Sequence, residues 1–388
     1  MNINWDDLRK EQFPALENSI YLKAAGGSPM CKTAYQEVLK YIYEMHNVGD
    51  NFWERYFEDL DLTRKMISEY LNCESDEIAL LINTSSGMNV IAHLLEKCEI
   101  IYPEGEFPSS ILIFKLLGFD CHKISSQKDN TYLLEDIHRE IKKTTKCLIH
   151  SHIQYLTGFK QDLNAIGNLC KKHEIINIIN ATQSFGAFPI DIKNQNIDAL
   201  VASGLKWACS GYGAGILYIK NKLILENRMP FSSWLSVQDA FSMDNDNLNI
   251  IAKTKSMDGL GGTPNFPALF ALKGSLTLIK KIGKGNIQSG IKEIRNRITS
   301  LTDQFVEKAQ ELDFKIISPL DLKYRSGIIT IESDKAEAIS NKLLTKNIHI
   351  SLRNYPKSKD KTLLRFAFNY YNNFDDIEKT ITILKDFK

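Results

Sequence analysis

The sequence predicts an α/β protein: a large domain built on a mostly parallel, seven-stranded sheet, followed by a smaller α+β domain at the C-terminal end. Three observations predict it. Between about residues 76 and 220, short apolar runs alternate with amphipathic segments, the pattern of parallel strands joined by covering helices. At 388 residues the chain is long enough for two domains. After about residue 265 the rhythm changes to one long amphipathic helix and then short strands and helices. The domains are therefore set at 15–262 and 263–388, the smaller one joined by residues 1–14.

The elements follow in order. Ser28-Pro29 reads as a cap and first-turn proline opening a helix through Tyr35, Val38 and Ile42. Glu77 to Ile82 reads as a strand, and Met88, Ile91, Leu94 and Leu95 as one face of the next helix. Ile111 to Leu117 suits a helix, Cys121 to Ile124 a strand, Leu134 to Ile141 a helix, and Cys147 to Ile149 a strand. Asp162 is placed to cap a helix whose Leu163, Ile166, Leu169 and Cys170 share a face. Ile175 to Ile179, Asp198 to Ala202 and Gly215 to Ile219 are strand-like. In the smaller domain a helix from Ile287 to Leu312 precedes a strand at Gly327 to Glu332 and a helix at Ala336 to Leu344. Strands near Ile348 to Leu352 and Leu363 to Phe368 lead to a final helix from Phe374.

Composition excludes several classes of function. A formal net charge of +1 gives no global electrostatic case for nucleic acid or an anionic membrane. No apolar run approaches the ~18 residues of a membrane span, and the opening segment lacks the basic-then-apolar pattern of a secretory signal. Seven cysteines scattered singly, without a C-x-x-C pair, suit reduced thiols in the cytoplasm. No metal-ligand spacing such as H-E-x-x-H occurs.

The chemistry concentrates at strand ends. Lys206 lies in Ser203-Gly204-Leu205-Lys206-Trp207, between a strand and the glycine-rich Gly211-Tyr212-Gly213-Ala214-Gly215. That is a place for an amine that must reach a carbonyl and swing away. Asn180-Ala181-Thr182-Gln183 closes another strand, and ligands of parallel sheets bind outside the carboxyl ends of the strands. Asn83-Thr84-Ser85-Ser86-Gly87 sits between strand and helix, suited to a phosphate and equally to an ordinary helix cap. Alone, Phe107 also reads as a core ring, His152 as a strand-end histidine, Gly261-Gly262-Thr263 as a polar loop, and Arg353 or Arg365 as half of a surface ion pair.

Taken in order over about residues 18 to 385, these segments resemble the class V aminotransferase-like enzymes of fold type I. These depend on pyridoxal 5′-phosphate (PLP) and include cysteine desulfurases, selenocysteine lyases, isopenicillin N epimerase-like proteins and kynureninases. The resemblance implies PLP as cofactor, with Lys206 as the Schiff-base lysine and proton shuttle. Thr84, Ser85 and Ser203 would hold the phosphate. Phe107 stands where the family has an aromatic ring, often histidine, on the pyridine face. Tyr155 replaces an asparagine near the phenolic oxygen, which Gln183 would also contact. Gly262 and Thr263 would reach the partner's cofactor in a homodimer. Arg365, with Arg353 second, would clamp a substrate carboxylate. Two further positions depart from the pattern: Asn180 stands in place of the aspartate that pairs with the pyridine nitrogen, and Leu205 in place of a histidine. A neutral amide cannot supply the charge that favours a pyridinium.

The expected activity is transamination of a small amino acid. Epimerisation and β-eliminating C–S cleavage are the alternatives within the enzymes, and a non-catalytic PLP-binding partner protein is the alternative outside them. No cysteine follows Cys209, so persulfide-forming desulfuration lacks its small-domain thiol. The glycine run precedes a strand instead of linking strand to helix, which argues against dinucleotide binding.

Overall fold

The computed structural model describes residues 3–127, 131–226 and 229–388; Met1 and Asn2, which begin the segment inspected for a signal, lie outside them. Helix α1 (Trp5–Gln12) is capped by the Asn4 side chain and is followed by the short strand β1 (Ile20–Tyr21). Helices α2 (Lys32–Asn47) and α3 (Trp53–Leu71) come next. Helix α2 takes Cys31 as its N-cap, not Ser28 as the sequence suggested. The backbone explains the difference. The Ser28 N–H donates to Leu205 O at 3.0 Å and the Cys31 N–H to Cys209 O at 3.1 Å. Residues 28–31 are thus a strap along the 205–209 loop.

The alternating stretch forms as expected, with one strand, Glu99–Pro103, beyond those the sequence showed. It comprises β2 (Ile78–Leu81), α4 (Thr84–Leu94), β3 (Glu99–Pro103), α5 (Pro108–Leu116), β4 (Asp120–Ile124), α6 (Leu134–Glu140), β5 (Thr145–Ser151), α7 (Leu163–Lys172), β6 (Ile176–Asn180), β7 (Ala199–Ser203) and β8 (Gly215–Ile219). The Asp162 side chain caps α7 by accepting the Ala165 N–H at 3.1 Å. The seven strands join in the order β2-β8-β7-β6-β5-β3-β4. Strands β4, β3, β5, β6 and β7 pair in parallel, while β8 runs antiparallel to both β7 and β2. Strands β2, β7 and β8 are buried throughout, as a sheet covered on both faces requires. Parallel pairing puts the last residues of β5, β6 and β7 on one rim; Ser151 is in register with Asn180, and Asn180 with Val201. Helix α4 lies close against this rim because Gly87 has no side chain: a Cβ there would stand 2.6 Å from Val201 Cγ1.

The remainder comprises α8 (Asn221–Glu226), α9 (Phe266–Ile282), α10 (Ile287–Glu311), β9 (Lys315–Ile316), β10 (Ile328–Glu332), α11 (Ala336–Leu344), β11 (Ile348–His349), β12 (Ser351–Arg353), β13 (Leu363–Ala367) and α12 (Phe374–Lys385). Strands β12-β13-β10-β9 form an antiparallel sheet. The single strand expected near Ile348 to Leu352 is two, because Ile348–His349 pairs with β1 while Ser351–Arg353 pairs with β13. In α10, Ile287, Ile291, Ile294, Ile298, Leu301 and Phe305 are buried on one face, the stripe its sequence periodicity implied.

Candidate active site

Strand β7 delivers Ser203 to the rim, and the following turn carries Lys206 into a cavity of about 290 Å³. Thr84, Ser85 and Ser203 line the same cavity, and Phe107, Tyr155, Asn180 and Gln183 complete its wall. Burial pulls the Lys206 amine down to about 7, and the nearby charges of Arg365 and Arg353 add to the effect. A lysine so placed is partly neutral, hence nucleophilic, at neutral pH. Its Nζ lies 5.9 Å from the centroid of Phe107, a ring that is 45% exposed on the lip and packs edge-on against Tyr155 at 5.3 Å.

One end of the cavity suits an anion. Asn83 caps α4 by accepting the Ser86 N–H at 2.9 Å. Thr84 and Ser85 belong to the first turn, whose amides have no intrahelical acceptor and carry the positive end of the dipole. The Thr84 hydroxyl lies 2.7 Å from that of Thr182. Ser203 is buried and donates to Ala214 O at 3.1 Å.

The other wall is held by amides. The Asn180 Oδ1 accepts the Thr182 N–H at 3.0 Å, and its Nδ2 donates to Ser110 Oγ at 2.9 Å. Gln183 donates to Ala25 O and accepts from the Trp207 indole, both at 3.0 Å. Arg365 and Arg353 do not wall the cavity. Arg365 is buried in β13 and donates to Tyr155 O at 2.6 Å. Burial, with Arg353 beside it, pulls its guanidinium down to about 9, and its Nε has no hydrogen-bond partner among the described residues. Thr263 is exposed and lies outside the cavity wall. His152 is buried behind the rim and held down at about 3 by burial.

Sequence reasoning missed Glu106. It was visible there merely as the neighbour of Phe107, and nothing in the pattern separates it from a surface carboxylate. Here it is buried, and it accepts the Ser151 N–H at 2.7 Å, the Ser151 hydroxyl at 2.5 Å and Gln154 Nε2 at 2.8 Å. Tyr212, which is 80% exposed, also lines the cavity. Volume alone does not find the site: a larger hollow of about 1220 Å³ lies beside α1 and α12, where Arg9 is already paired with Asp376 at 2.6 Å. A trio of Glu99, Asp120 and His122 sits at the opposite ends of the strands, its Glu99 engaged by the hydroxyls of Thr144 and Thr145.

Residues 20–380 match the family described as Aminotransferase class-V. The chain belongs to the class V aminotransferase family. Among class V relatives, it is 21% identical to the "uncharacterized aminotransferase YcbU" of Bacillus subtilis, over 96% of this chain and 95% of that one. The fold matches the apo cysteine desulfurase of Thermococcus onnurineus NA1 with a TM-score of 0.85 at 20% identity, covering 100% of this chain and 98% of that one. It also matches the cystine C–S lyase C-DES, in complex with its product cysteine persulfide, with a TM-score of 0.83 at 19% identity, covering 97% and 99%. PLP is the cofactor of the class V site, and the residues here fit it. A depressed lysine, a capped helix N-terminus and clustered hydroxyls all line one cavity of about 290 Å³.

Proposed function

We propose that this class V enzyme is a lyase that cleaves the Cβ–S bond of a small sulfur-bearing amino acid. The observation that carries this is Asn180, a neutral amide at the position where the family pattern has a carboxylate. When bound, PLP draws electrons away from the substrate's Cα. Neutral Lys206 then takes the Cα proton. In β-elimination the C–H electron pair becomes the Cα=Cβ bond, and the Cβ–S pair leaves with sulfur. Overall, amino acid and water yield keto acid, ammonia and hydrogen sulfide, a thiol or a persulfide, according to what the sulfur carries. In transamination the same electron pair must be held until a proton returns elsewhere, which asks more of the group beside the ring nitrogen. A neutral Asn180 therefore favours the outcome in which a leaving group carries the charge away.

Two further facts support the lyase. No cysteine lines the cavity among the described residues, and none follows Cys209, so the sulfur departs as a small molecule instead of passing to a protein thiol. C-DES, of like fold, is named a C–S lyase. Transamination is the second reading, favoured by the name of YcbU and by an amine near 7 that can both take and return a proton. In either case Thr84, Ser85 and Ser203 would hold the phosphate, Phe107 the ring face and Tyr155 and Gln183 the phenolic edge, while Arg365 with Arg353, outside the cavity wall but near enough to act on Lys206, would attract the substrate carboxylate. Gly262 and Thr263 would serve the partner's site in a homodimer. Incubation with cysteine, cystine and alanine tests the proposal. From cysteine and cystine, equal yields of keto acid, ammonia and reduced sulfur without an added acceptor are expected, and no such products from alanine. A strict need for a keto-acid acceptor would establish transamination, and an inverted enantiomer would establish epimerisation. A Lys206 adduct without any turnover would mark a binding protein.

A further inference from the structure

Asn180 is fixed at both ends of its amide. The Thr182 N–H holds Oδ1, and Ser110 Oγ receives one hydrogen of Nδ2. Why Ser110 accepts and does not donate follows from its other neighbour. Ser110 is fully buried in the first turn of α5 and hydrogen-bonds to Glu106. Glu106 already accepts from the Ser151 N–H, the Ser151 hydroxyl and Gln154 Nε2, and as an acceptor toward Ser110 too it draws the Ser110 proton to itself and leaves a lone pair for Asn180. Burial pushes the Glu106 acid up, but hydrogen bonds from Ser151, Gln154 and Ser110 support its anion. The chain of donors therefore has one polarity, from Asn180 through Ser110 to Glu106, and such chains reinforce their members. One hydrogen of Asn180 Nδ2 remains for the cavity.

We propose that Glu106 is a positioning residue that, through Ser110, locks Asn180 as a hydrogen-bond donor toward the cofactor's ring nitrogen and keeps that nitrogen unprotonated. The inference rests on the PLP reading of the cavity and goes beyond the loss of the family aspartate. The amide is not a passive blank; the Thr182 N–H on one end and Glu106, acting through Ser110, on the other together set which end faces the ring. With Glu106 replaced by glutamine, Ser110 is free to donate, so Asn180 can exchange the ends of its amide, giving up the Thr182 N–H, and its oxygen can accept a hydrogen bond from a protonated ring nitrogen.

The test uses the full chain loaded with PLP labelled with ¹⁵N at the ring nitrogen, read by NMR at one neutral pH. Wild type is expected to show an unprotonated ring nitrogen, and Asn180→Asp a protonated one that marks the other limit. Glu106→Gln and Ser110→Ala are expected to move the resonance from the wild-type position toward the Asn180→Asp position. Ser110→Ala removes one hydroxyl and leaves the other Glu106 contacts intact, so it decides the matter should Glu106→Gln not fold. A wild-type resonance at the Asn180→Asp position overturns the proposal. So do two cofactor-loaded variants that coincide with wild type. Borohydride reduction and peptide mass analysis run beside it: absence of an adduct on Lys206 in wild type means that the PLP reading itself has failed, whereas an adduct with unmoved resonances refutes the lock alone.

Discussion

Burial and two positive neighbours pull the Lys206 amine down, and each cause leaves a separable signature. The neutral amine is the reactive form, so the rate at which the apo chain captures PLP should rise with pH through about 7 and then level, instead of climbing toward the ordinary lysine value. Stopped-flow absorbance of the bound cofactor would show this; a rate still rising near pH 10 would contradict it. Arg353→Met removes one like charge from a half-buried position, so the midpoint should move upward in pH. Lys206→Ala should abolish the borohydride-stable adduct. At this scale the sequence exposed the residues that sit at strand ends among small neighbours: Lys206, Asn180, Gln183, Thr84 and Ser203 all line or border one cavity. Glu106 stayed hidden because a carboxylate's default is solvent. Its burial depends on Ser151 and Gln154, 45 and 48 residues away in sequence.

Helix α4 depends on its cap. Asn83→Ala should cost about 1 kcal/mol of stability and weaken PLP binding, read by thermal melts and cofactor titration; equal affinity would separate the helix terminus from phosphate recognition. A second element-level dependency lies in α3. Arg64 is buried, bonds both oxygens of Asp258 and donates to Ile78 O at 2.6 Å, while Asp258 also receives the Leu80 N–H at 2.7 Å. This ties α3 and β2 to the segment leading into Gly262 and Thr263. Asp258→Ala leaves the buried guanidinium with only the exposed Asp61 as an ion-pair partner, at 3.3 Å, so a loss of about 3 kcal/mol is expected by denaturant titration. The alternating run from β2 to β8 was legible because its strands and helices differ in period and length. Helix α9 was not: Phe266, Leu269, Phe270, Leu272, Leu276 and Ile279 are buried together with intervening residues, and the polar positions Lys273, Thr277 and Lys280 mark only its C-terminal half, so its first half reads as an unbroken apolar run. The Ser28-Pro29 signal failed because backbone partners at Leu205 and Cys209 outcompeted an early helix start.

Across the whole molecule the expected boundary at 262/263 is crossed by close packing. Phe270 of α9 stacks near Tyr41 of α2 and Tyr56 of α3, and β1 pairs with β11. Thr263 lies exposed and outside its own cavity, where a second copy could use it. Sedimentation should therefore find a dimer. Thr263→Ala should weaken PLP affinity about tenfold, the worth of one hydrogen bond to a charged group; a monomer with full affinity would refute the shared site. No helix among the described residues is long and apolar enough to cross a membrane. The strap along the lysine loop has a consequence for biosynthesis. Ser28 and Cys31 hold the loop from one side, and Asn369 donates to Trp207 O at 3.2 Å from the other. Stretches born first, midway and last on the ribosome must therefore meet before the amine has its pocket. A nascent chain released short of Asn369 should emerge colourless, however much of its sheet has already formed.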